Sequence, residues 1–309
     1  MKAKISIIAV ALLACIGGGA LYKHKSLAEI HTLLTTHKVD SQYHDIATQI
    51  ASARQKCAFP SSRDLGDWQN FIAHAGGAII HEGKPYTYSN SKEALLASIH
   101  KGYRFIELDL MLDSDGEIFG AHDYAHFYGI TNAPKEVIES NAPPSKAYIS
   151  QAKIYGIFTP LGRDSINEIF RQNPSVFLVT DKLNDFRAIA TQLEFGERIL
   201  VEVFGLNNYY KAHKEGIRYP MLSTKDFKLA TELAIPMVAT HTSALRDDKS
   251  AKLAQEYIAN GGCIMVFSSN EKEFMSEHLG LRASKFYTDF WDAESKDCAL
   301  DDKQKCKTY

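Results

Sequence analysis

The segment FIELDLMLDSDGEIFGAHDY (residues 105–124) places two carboxylates inside an apolar run that is typical of a buried strand. Side chains alternate faces along a strand, so Glu107 and Asp109 share one face and the apolar residues around them share the other. Two uncompensated carboxylates on one face repel each other and raise a pKa. A divalent cation removes that repulsion, and Mg²⁺ and Ca²⁺ prefer oxygen ligands. The pattern predicts such a metal site; the alternative is a carboxylate pair neutralised by Lys or Arg.

Two histidines flank this pair. His74 ends the apolar run FIAHAG (71–76), where Ile72 shares its face, and His122 follows the acidic turn 113–116. Imidazole titrates near neutral pH, so two of them beside one reacting group can act as general acid and general base. A lone histidine is more often a core or surface residue. The combination of two histidines with two carboxylates favours a catalytic site.

The chain from about residue 70 supplies a scaffold for these residues, because short β-branched apolar runs alternate with helix-like segments. Eight strand candidates follow one another: 71–76, 104–110, 176–181, 198–204, 219–223, 235–241, 263–269 and 285–290. Eight strands with intervening helices predict a (β/α)8 TIM barrel rather than a doubly wound sheet. Active sites of such barrels lie at the carboxyl ends of the strands, where the histidines and carboxylates fall.

Helix starts and one long connection complete the predicted scaffold. Asn90 with Glu93, and Ser165 with Glu168, have the spacing of helix-starting capping boxes. The connection over about residues 123–163 is too long for an ordinary loop, which makes it a candidate cover for the active-site mouth.

The segments IAHAGG, YSNSKEAL and GYRFIELDLMLDSDGEIFGAHDY together resemble the glycerophosphodiester phosphodiesterase family, within the wider group of barrel phosphodiesterases that includes phosphatidylinositol-specific phospholipase C. The resemblance covers about residues 70–292. It implies that His74 and His122 are the catalytic acid–base pair and that Glu107 and Asp109 bind the metal. Thr288-Asp289 is similar to a Thr-Asp pair near the end of the family's last strand.

The resemblance also implies a third carboxylate on the third strand, followed closely by a lysine. The segment VTDKL matches it, so Asp181 would complete the metal site and Lys182 would contact phosphate. Adjacent residues point to opposite faces of a regular strand, so the strand end or a bulge must aim one of them.

The chain departs from the family pattern in two further places. Ala75 stands where the family has an arginine that would contact phosphate, and Lys182 and Arg104 are the predicted substitutes. Phe267 stands where the family usually has a tryptophan. That position shapes the substrate pocket, so the difference bears on substrate specificity and not on the chemistry. Two other side chains lie near strand ends. Glu202 is a candidate metal ligand or partner of Lys182, and His241 is a candidate substrate contact.

The N-terminus MKAKISIIAVALLACIGGGALYKHK (1–25) contains 18 uncharged residues from Ile5 to Tyr22, which can just span a bilayer. It predicts a signal or transmembrane anchor. The alternatives are a lipoprotein with Cys15 lipidated in a lipobox-like LLAC and a cleaved soluble form. Each sends the rest of the chain out of the cytoplasm, so we predict a membrane-anchored protein facing the periplasm or another extracytoplasmic space. The rest divides into a helical spacer (26–67), the barrel (68–292) and a tail (293–309).

Charge and cysteine content restrict the partners. The net charge of −2 provides no basic field, so no nucleic-acid partner is expected. Apart from Cys15 there are four cysteines, which allow three full pairings that the sequence cannot choose between, or four free thiols: Cys57, Cys263, Cys298 and Cys306. None has a spacing typical of a zinc site.

These observations predict a phosphodiesterase that depends on Mg²⁺ or Ca²⁺ and hydrolyses a small-molecule or lipid phosphodiester: a glycerophosphodiester, a phospholipid head group or an envelope glycan. One alternative is a non-catalytic envelope binding protein on a degenerate barrel, which Ala75 and the adjacent Asp181 and Lys182 would favour. Another is a lyase of the sphingomyelinase D type, which forms a cyclic phosphate.

Overall fold

A computed structural model of the protein describes residues 25–290. The strands are β1 (Phe71–Ala73), β2 (Ile79–His81), β3 (Lys84–Tyr86), β4 (Phe105–Glu107), β5 (Leu110–Leu112), β6 (Ile118–Gly120), β7 (Phe177–Thr180), β8 (Ile199–Phe204), β9 (Tyr219–Ser223), β10 (Met237–His241), β11 (Cys263–Phe267) and β12 (Lys285–Thr288). The helices are α1 (Leu27–Thr36), α2 (His44–Ala53), α3 (Lys92–Lys101), α4 (Tyr124–Ile130), α5 (Lys135–Ser140), α6 (Lys146–Gln151), α7 (Arg163–Gln172), α8 (Phe186–Gln192), α9 (Leu206–Lys214), α10 (Phe227–Glu232), α11 (Ser243–Arg246), α12 (Asp248–Ala259) and α13 (Lys272–His278).

Eight of the strands close into a parallel barrel in the order β1-β4-β7-β8-β9-β10-β11-β12, with β12 pairing back to β1. The predicted TIM barrel is therefore confirmed, and each of the eight predicted segments contributes one strand. The remaining strands form two hairpins, β2–β3 and β5–β6, that project beside the barrel's carboxyl end. An apolar layer lies between the barrel and its helices, and a second apolar cluster fills the barrel interior.

Strand β4 shows how the barrel faces are set. Ile106 and Leu108 pack in the outer layer against the helices, whereas Phe105 lies in the interior cluster and Glu107 faces the interior two residues later. The strand ends earlier than predicted, at Glu107. The chain leaves the barrel at Asp109, because its N–H bonds to the Asn90 side chain instead of a neighbouring strand.

The barrel is closed at its amino end by residues that precede β1. The Phe59 ring sits among three aromatic rings from the starts of β4, β7 and β9, at centroid distances of 4.9–5.5 Å. We call these four rings the floor cluster: Phe59, Phe105, Phe177 and Tyr219. Two residues before Phe59, Cys57 forms a disulfide with Cys263 at the start of β11, with a Cα–Cα distance of 5.6 Å.

The segment predicted as a helical spacer contains α1 and α2, which lie on the barrel. Ile30 and Leu34 of α1 and Ala47 and Ala51 of α2 are buried in the same apolar layer as the barrel strands. The segment is therefore packed on the barrel along this stretch, and its role as a link to a membrane stays a prediction. No helix within residues 25–290 is long and apolar enough to cross a membrane.

Several predictions lie outside the described residues. They concern the anchor over 1–25 except for Lys25, lipidation at Cys15, the tail over 293–309, and Cys298 and Cys306. All of them stay predictions.

Two predicted helix starts were wrong by one to three residues. Helix α3 is capped by Ser91, whose Oγ accepts from the N–H of Ala94, and Glu93 accepts instead from Thr159. Asn90 is unavailable as a cap because its side chain is held by Asp109. Helix α7 already begins at Arg163, after Gly162, so Ser165 lies inside its first turn.

The long connection over 123–163 forms α4, α5 and α6 around a small apolar cluster of its own. Phe158 from this cluster packs edge-on against Tyr86 of the β2–β3 hairpin, with ring centroids 5.2 Å apart. The connection therefore borders the carboxyl end of the barrel, but residues 124–163 contribute no side chain to the cavity there.

Candidate active site

A cavity of about 230 Å³ opens at the carboxyl end of the barrel. The side chains that line it are His74, Tyr88, Glu107, Asp109, His122, Thr180, Asp181, Lys182, Glu202, Phe204, Phe267 and Tyr287. Six of the seven predicted site residues are in this set. The exception is Arg104, which lies one residue before β4 and hence at the opposite, amino end of the barrel. Arg104 is exposed there and does not line the cavity, so the structure does not bring it together with the other six residues.

Three buried or nearly buried carboxylates converge at the base of the cavity, and we call them the carboxylate trio: Glu107, Asp109 and Asp181. Each offers one oxygen atom, and these atoms lie within 4.8 Å of one another. Neutral donors orient two of the three groups. The N–H of Ala75 donates to Glu107 Oε2 at 2.6 Å, and Asn90 Nδ2 donates to Asp109 Oδ2 at 2.9 Å.

The carboxylate trio has more negative charge than the neighbouring lysine can offset. Burial raises the pKa of Glu107 well above its usual value, and the charges of Asp109 and Asp181 raise it further. Burial and the charge of Asp109 likewise raise the pKa of Asp181 to about 6. Lys182 is the one lysine or arginine side chain that lines the cavity in the described chain, with Nζ 2.9 Å from Asp181 Oδ2 and 3.6 Å from Asp109 Oδ1. Although burial opposes its charge, these contacts raise the pKa of Lys182.

The trio fits a hard divalent cation. One ammonium group faces three carboxylates, so Lys182 offsets their negative charge only in part. The buried Asp181 Oδ1 has no hydrogen-bond partner among the described residues. A buried acceptor without a partner is unfavourable, and an oxygen-binding cation would satisfy it.

Asp181 and Lys182 both reach the cavity because β7 ends just before them. Lys182 adopts a left-handed backbone conformation with φ of 60°, and the N–H of Leu183 donates back to the carbonyl of Asp181 at 2.6 Å. This tight turn re-aims the second of two adjacent side chains. The prediction that the strand end must aim one of them agrees with this turn.

The two histidines come from different turns at the carboxyl end of the barrel, and each contacts a carboxylate through Nδ1. His74 opens the turn after β1, and its Nδ1 lies 3.1 Å from Asp289 Oδ1. His122 follows β6, and its Nδ1 lies 2.7 Å from Asp123 Oδ2. When Nδ1 carries the proton that bonds to the carboxylate, Nε2 of each ring is left for a substrate.

Asp123 and Asp289 are themselves held in place. Burial alone would raise the pKa of Asp123, but the N–H of His126 and the contact with His122 lower it, so it stays ionised near neutral pH. Asp289 is fixed by Asn270, whose Oδ1 accepts from the N–H of Asp289 at 2.9 Å.

Sequence reasoning missed some residues of the site and misplaced others. Asn90 was predicted to be a helix cap, whereas its side chain binds Asp109. Tyr88 gave no signal, because its turn has no periodicity. Glu202 lines the cavity, and burial raises its pKa to about 7, but it is not part of the trio. His241 is exposed, bonds to Ser243 and does not line the cavity, whereas Phe267 does line it.

The barrel is similar to solved structures of glycerophosphodiester phosphodiesterases. One from Parabacteroides distasonis has a TM-score of 0.55 and 14% identity over 72% of this chain and 92% of that chain. One from Agrobacterium tumefaciens has a TM-score of 0.54 and 15% identity over 71% and 94%. A phosphodiesterase from Oleispira antarctica, solved in complex with the product sn-glycerol-3-phosphate, has a TM-score of 0.54 and 17% identity over 71% and 92%.

When the sequence alone is compared with known proteins, no protein-family model and no curated protein matches it. At 14–17% identity, the structural likeness establishes the architecture rather than the activity. The predicted resemblance is confirmed at that level: residues 71–288 have the barrel fold of the glycerophosphodiester phosphodiesterases.

Proposed function

We propose that the protein is a phosphoric diester hydrolase that uses a divalent cation to cleave glycerophosphodiesters. One observation carries the proposal: three carboxylate oxygens lie within 4.8 Å of one another in a cavity that two carboxylate-backed histidines also line. The barrel fold shared with known phosphodiesterases supports the same reaction class.

The carboxylate trio would hold the cation, Mg²⁺ or Ca²⁺, whose chemistry when bound is to polarise a phosphoryl oxygen and orient the reacting groups. Lys182, placed beside the trio, would offer its ammonium group to a second phosphoryl oxygen.

The histidines would move the protons. One Nε2 accepts the proton of the attacking hydroxyl, and the other donates a proton to the departing alkoxide. Asp289 and Asp123 hold the rings in the tautomer that leaves Nε2 available, and they stabilise the imidazolium that forms. The resemblance to the glycerophosphodiester phosphodiesterases implies that the attacking hydroxyl belongs to the substrate itself. Its attack on phosphorus expels the alkoxide and forms a cyclic phosphodiester, which water then hydrolyses.

The size of the cavity and one structural relative guide the choice of substrate. A cavity of about 230 Å³ suits a small polar group rather than an acyl chain. The Oleispira antarctica relative was solved with sn-glycerol-3-phosphate. Both favour a glycerophosphodiester over an intact phospholipid or a glycan.

The Cys57–Cys263 disulfide supports the proposed location outside the cytoplasm, because disulfides persist in oxidising compartments and are rare in the cytosol. We therefore keep the proposal of a membrane-anchored, extracytoplasmic enzyme. Labelling of free thiols in protein taken from cells under acid quench tests it: a Cys57 that is quantitatively reduced would contradict it.

The test of function is hydrolysis of glycerophosphocholine and bis(p-nitrophenyl) phosphate by the full chain, with EDTA and with added Mg²⁺ or Ca²⁺. We expect turnover that needs the metal and is lost in His74→Ala. His241→Ala is the matched control, since His241 is exposed outside the cavity. Absence of turnover with either metal would favour the binding-protein alternative. Phosphorus NMR separates the remaining two: a phosphomonoester indicates a hydrolase, and persistent cyclic phosphate indicates a lyase.

A further inference from the structure

Tyr88 lies in the cavity between the two histidines. Its ring meets the His74 ring edge-on, with centroids 4.5 Å apart, and makes a second edge contact to His122 at 6.1 Å. The residue therefore occupies the position from which a side chain can reach a group held between both imidazoles.

The backbone presents Tyr88 in an uncommon way. Tyr88 has a φ of 54° and Asn90 a φ of 46°, both in the left-handed region that bulky residues rarely adopt. The turn is held by the Asn90 N–H, which donates to the carbonyl of Ala75 at 3.0 Å, and by the Asn90 side chain on Asp109. Strained conformations persist where the surroundings over-determine them, commonly at ligand sites. One turn thus orients both a trio carboxylate and the Tyr88 ring.

Three side chains with hydroxyl groups line the cavity: Tyr88, Thr180 and Tyr287. The Thr180 hydroxyl is hydrogen-bonded and the Tyr287 hydroxyl is buried. Thr180 Oγ1 donates to the carbonyl of Asp181 at 3.3 Å. Tyr287 is 3% exposed, and its hydroxyl is buried near Glu202. Tyr88 is 37% exposed, and its hydroxyl makes no hydrogen bond to any residue in the described part of the chain.

The Tyr88 hydroxyl is a hydrogen-bond donor near neutral pH, because an ordinary phenol has a pKa of about 10 and the metal-free cavity raises it further. Burial, together with the negative charges of Asp289, Asp109 and Glu107, raises the pKa of Tyr88 to about 12. It therefore keeps its proton near neutral pH and can donate to an anionic oxygen, in a cavity whose one lysine already contacts two carboxylates.

We propose that the Tyr88 hydroxyl donates a hydrogen bond to a non-bridging oxygen of the substrate's phosphoryl group. This inference rests on the proposed phosphodiesterase function and identifies a substrate contact within it. Ala75 cannot supply a side-chain donor, and Tyr88 supplies one from the adjoining turn. The phenol is neutral, so this contact adds no charge next to the histidines.

The test compares Tyr88→Phe, which keeps the ring contacts and removes only the hydroxyl, with Tyr86→Phe in the β2–β3 hairpin outside the cavity. A hydrogen bond to a charged acceptor contributes substantially to the binding free energy of that group. We therefore expect kcat/KM for glycerophosphocholine to fall about 10–100-fold in Tyr88→Phe. Tyr86→Phe should keep the wild-type value. The affinity for Mg²⁺ without substrate should be unchanged in both variants.

Calorimetric titration of the Mg²⁺-loaded full chain with inorganic phosphate provides a second readout that needs no turnover. We expect the Kd for phosphate to rise in Tyr88→Phe by about the same 10–100-fold factor. A wild-type Kd in this variant would overturn the inference, and so would a parallel loss of Mg²⁺ affinity, which would indicate a purely structural role. If the wild type cleaves no diester, the proposed function fails, and the phosphate titration still decides the role of Tyr88.

Discussion

The two ends of the barrel are built from the same strands but differ in their side-chain contacts: apolar packing dominates one end and incompletely paired carboxylates dominate the other. At the amino end, the floor cluster packs ring against ring and a disulfide holds the segment that carries Phe59. At the carboxyl end, the carboxylate trio faces one lysine and leaves a buried oxygen without a partner among residues 25–290. Strand β4 joins both ends on one face, with Phe105 in the floor and Glu107 in the cavity.

This difference indicates a division of labour. Apolar burial at the floor lowers the free energy of the folded state, and the cross-link there raises that of the unfolded chain. Repulsion among buried carboxylates at the cavity raises the free energy of the folded state. Proteins retain such unfavourable clusters where a ligand repays them. Substitutions at the two ends should therefore affect different measurements.

The largest expected effect is at the cavity. Asp109→Asn removes one charge of the trio while the new amide can still accept from Asn90. We expect Mg²⁺ affinity to be lost and kcat/KM to fall at least about 10³-fold, because one of the three proposed ligands of the cation is removed. The Tm of the metal-free protein should not fall, since a repulsion is relieved. Calorimetry with Mg²⁺ and thermal unfolding check this; unchanged Mg²⁺ affinity would contradict it.

At the floor, the disulfide should act on stability alone. It joins residues 206 positions apart, so it removes much conformational freedom from the unfolded chain. The double variant Cys57→Ala with Cys263→Ala should lose about 2–5 kcal/mol of unfolding free energy. Its kcat/KM at 25 °C should match the wild type. A variant that unfolds at the wild-type denaturant midpoint would show that the cross-link is not what holds the floor.

Phe59→Ala removes the central ring of the floor cluster and leaves a space among three other rings. Large-to-small changes cost about 3–5 kcal/mol at fully buried sites, and Phe59 is partly buried, so we expect a smaller loss of unfolding free energy. We expect a lower Tm with unchanged Mg²⁺ affinity. A loss of Mg²⁺ affinity in the folded variant would show that the two ends are coupled.

The contrast between the ends also explains what the sequence could predict. The inward placement of Glu107 followed from the period-2 pattern of β4, which is a local property. Asp109 was placed in the site for the wrong reason, since the strand has ended and Asn90 orients it. Arg104 is close to Glu107 in sequence, but the strand between them runs from the floor to the cavity. A residue that precedes a barrel strand therefore lies at the floor, as Arg104 does. The role of Phe59 depends on three strands far away in sequence, so no local pattern could indicate it.

Lys285 is the exception among the apolar side chains of the floor, and it predicts a pH effect. Its Nζ donates to the carbonyl of Gln69 and lies 4.2 Å from the centroid of the Phe105 ring. Burial lowers the pKa of Lys285 from 10.5 to about 8. Between these values the unfolded chain binds more protons than the folded one, so this group makes stability rise as the pH rises from about 8 to 10.5.

Comparison with Lys285→Met isolates that effect from other titrating groups. Over this pH range the wild type should gain up to about 3 kcal/mol of unfolding free energy relative to the variant, because each pKa unit corresponds to about 1.4 kcal/mol. Denaturant unfolding at a series of pH values measures it. A constant difference between the two proteins would mean that Lys285 keeps its ordinary pKa in the folded state.

The smallest effect we predict returns to the cavity, where Asp289 holds Nδ1 of His74. Asp289→Asn keeps the shape of the side chain, but its amide can present a donor to Nδ1 and so favour the wrong tautomer. We expect kcat to fall about 10–100-fold with little change in Mg²⁺ affinity, as is typical when a group that orients a functional histidine is altered. Proton–nitrogen NMR of the imidazoles should show Nε2 protonated in the variant and Nδ1 protonated in the wild type. An unaltered tautomer together with wild-type kcat would mean that the turn after β1 alone orients His74.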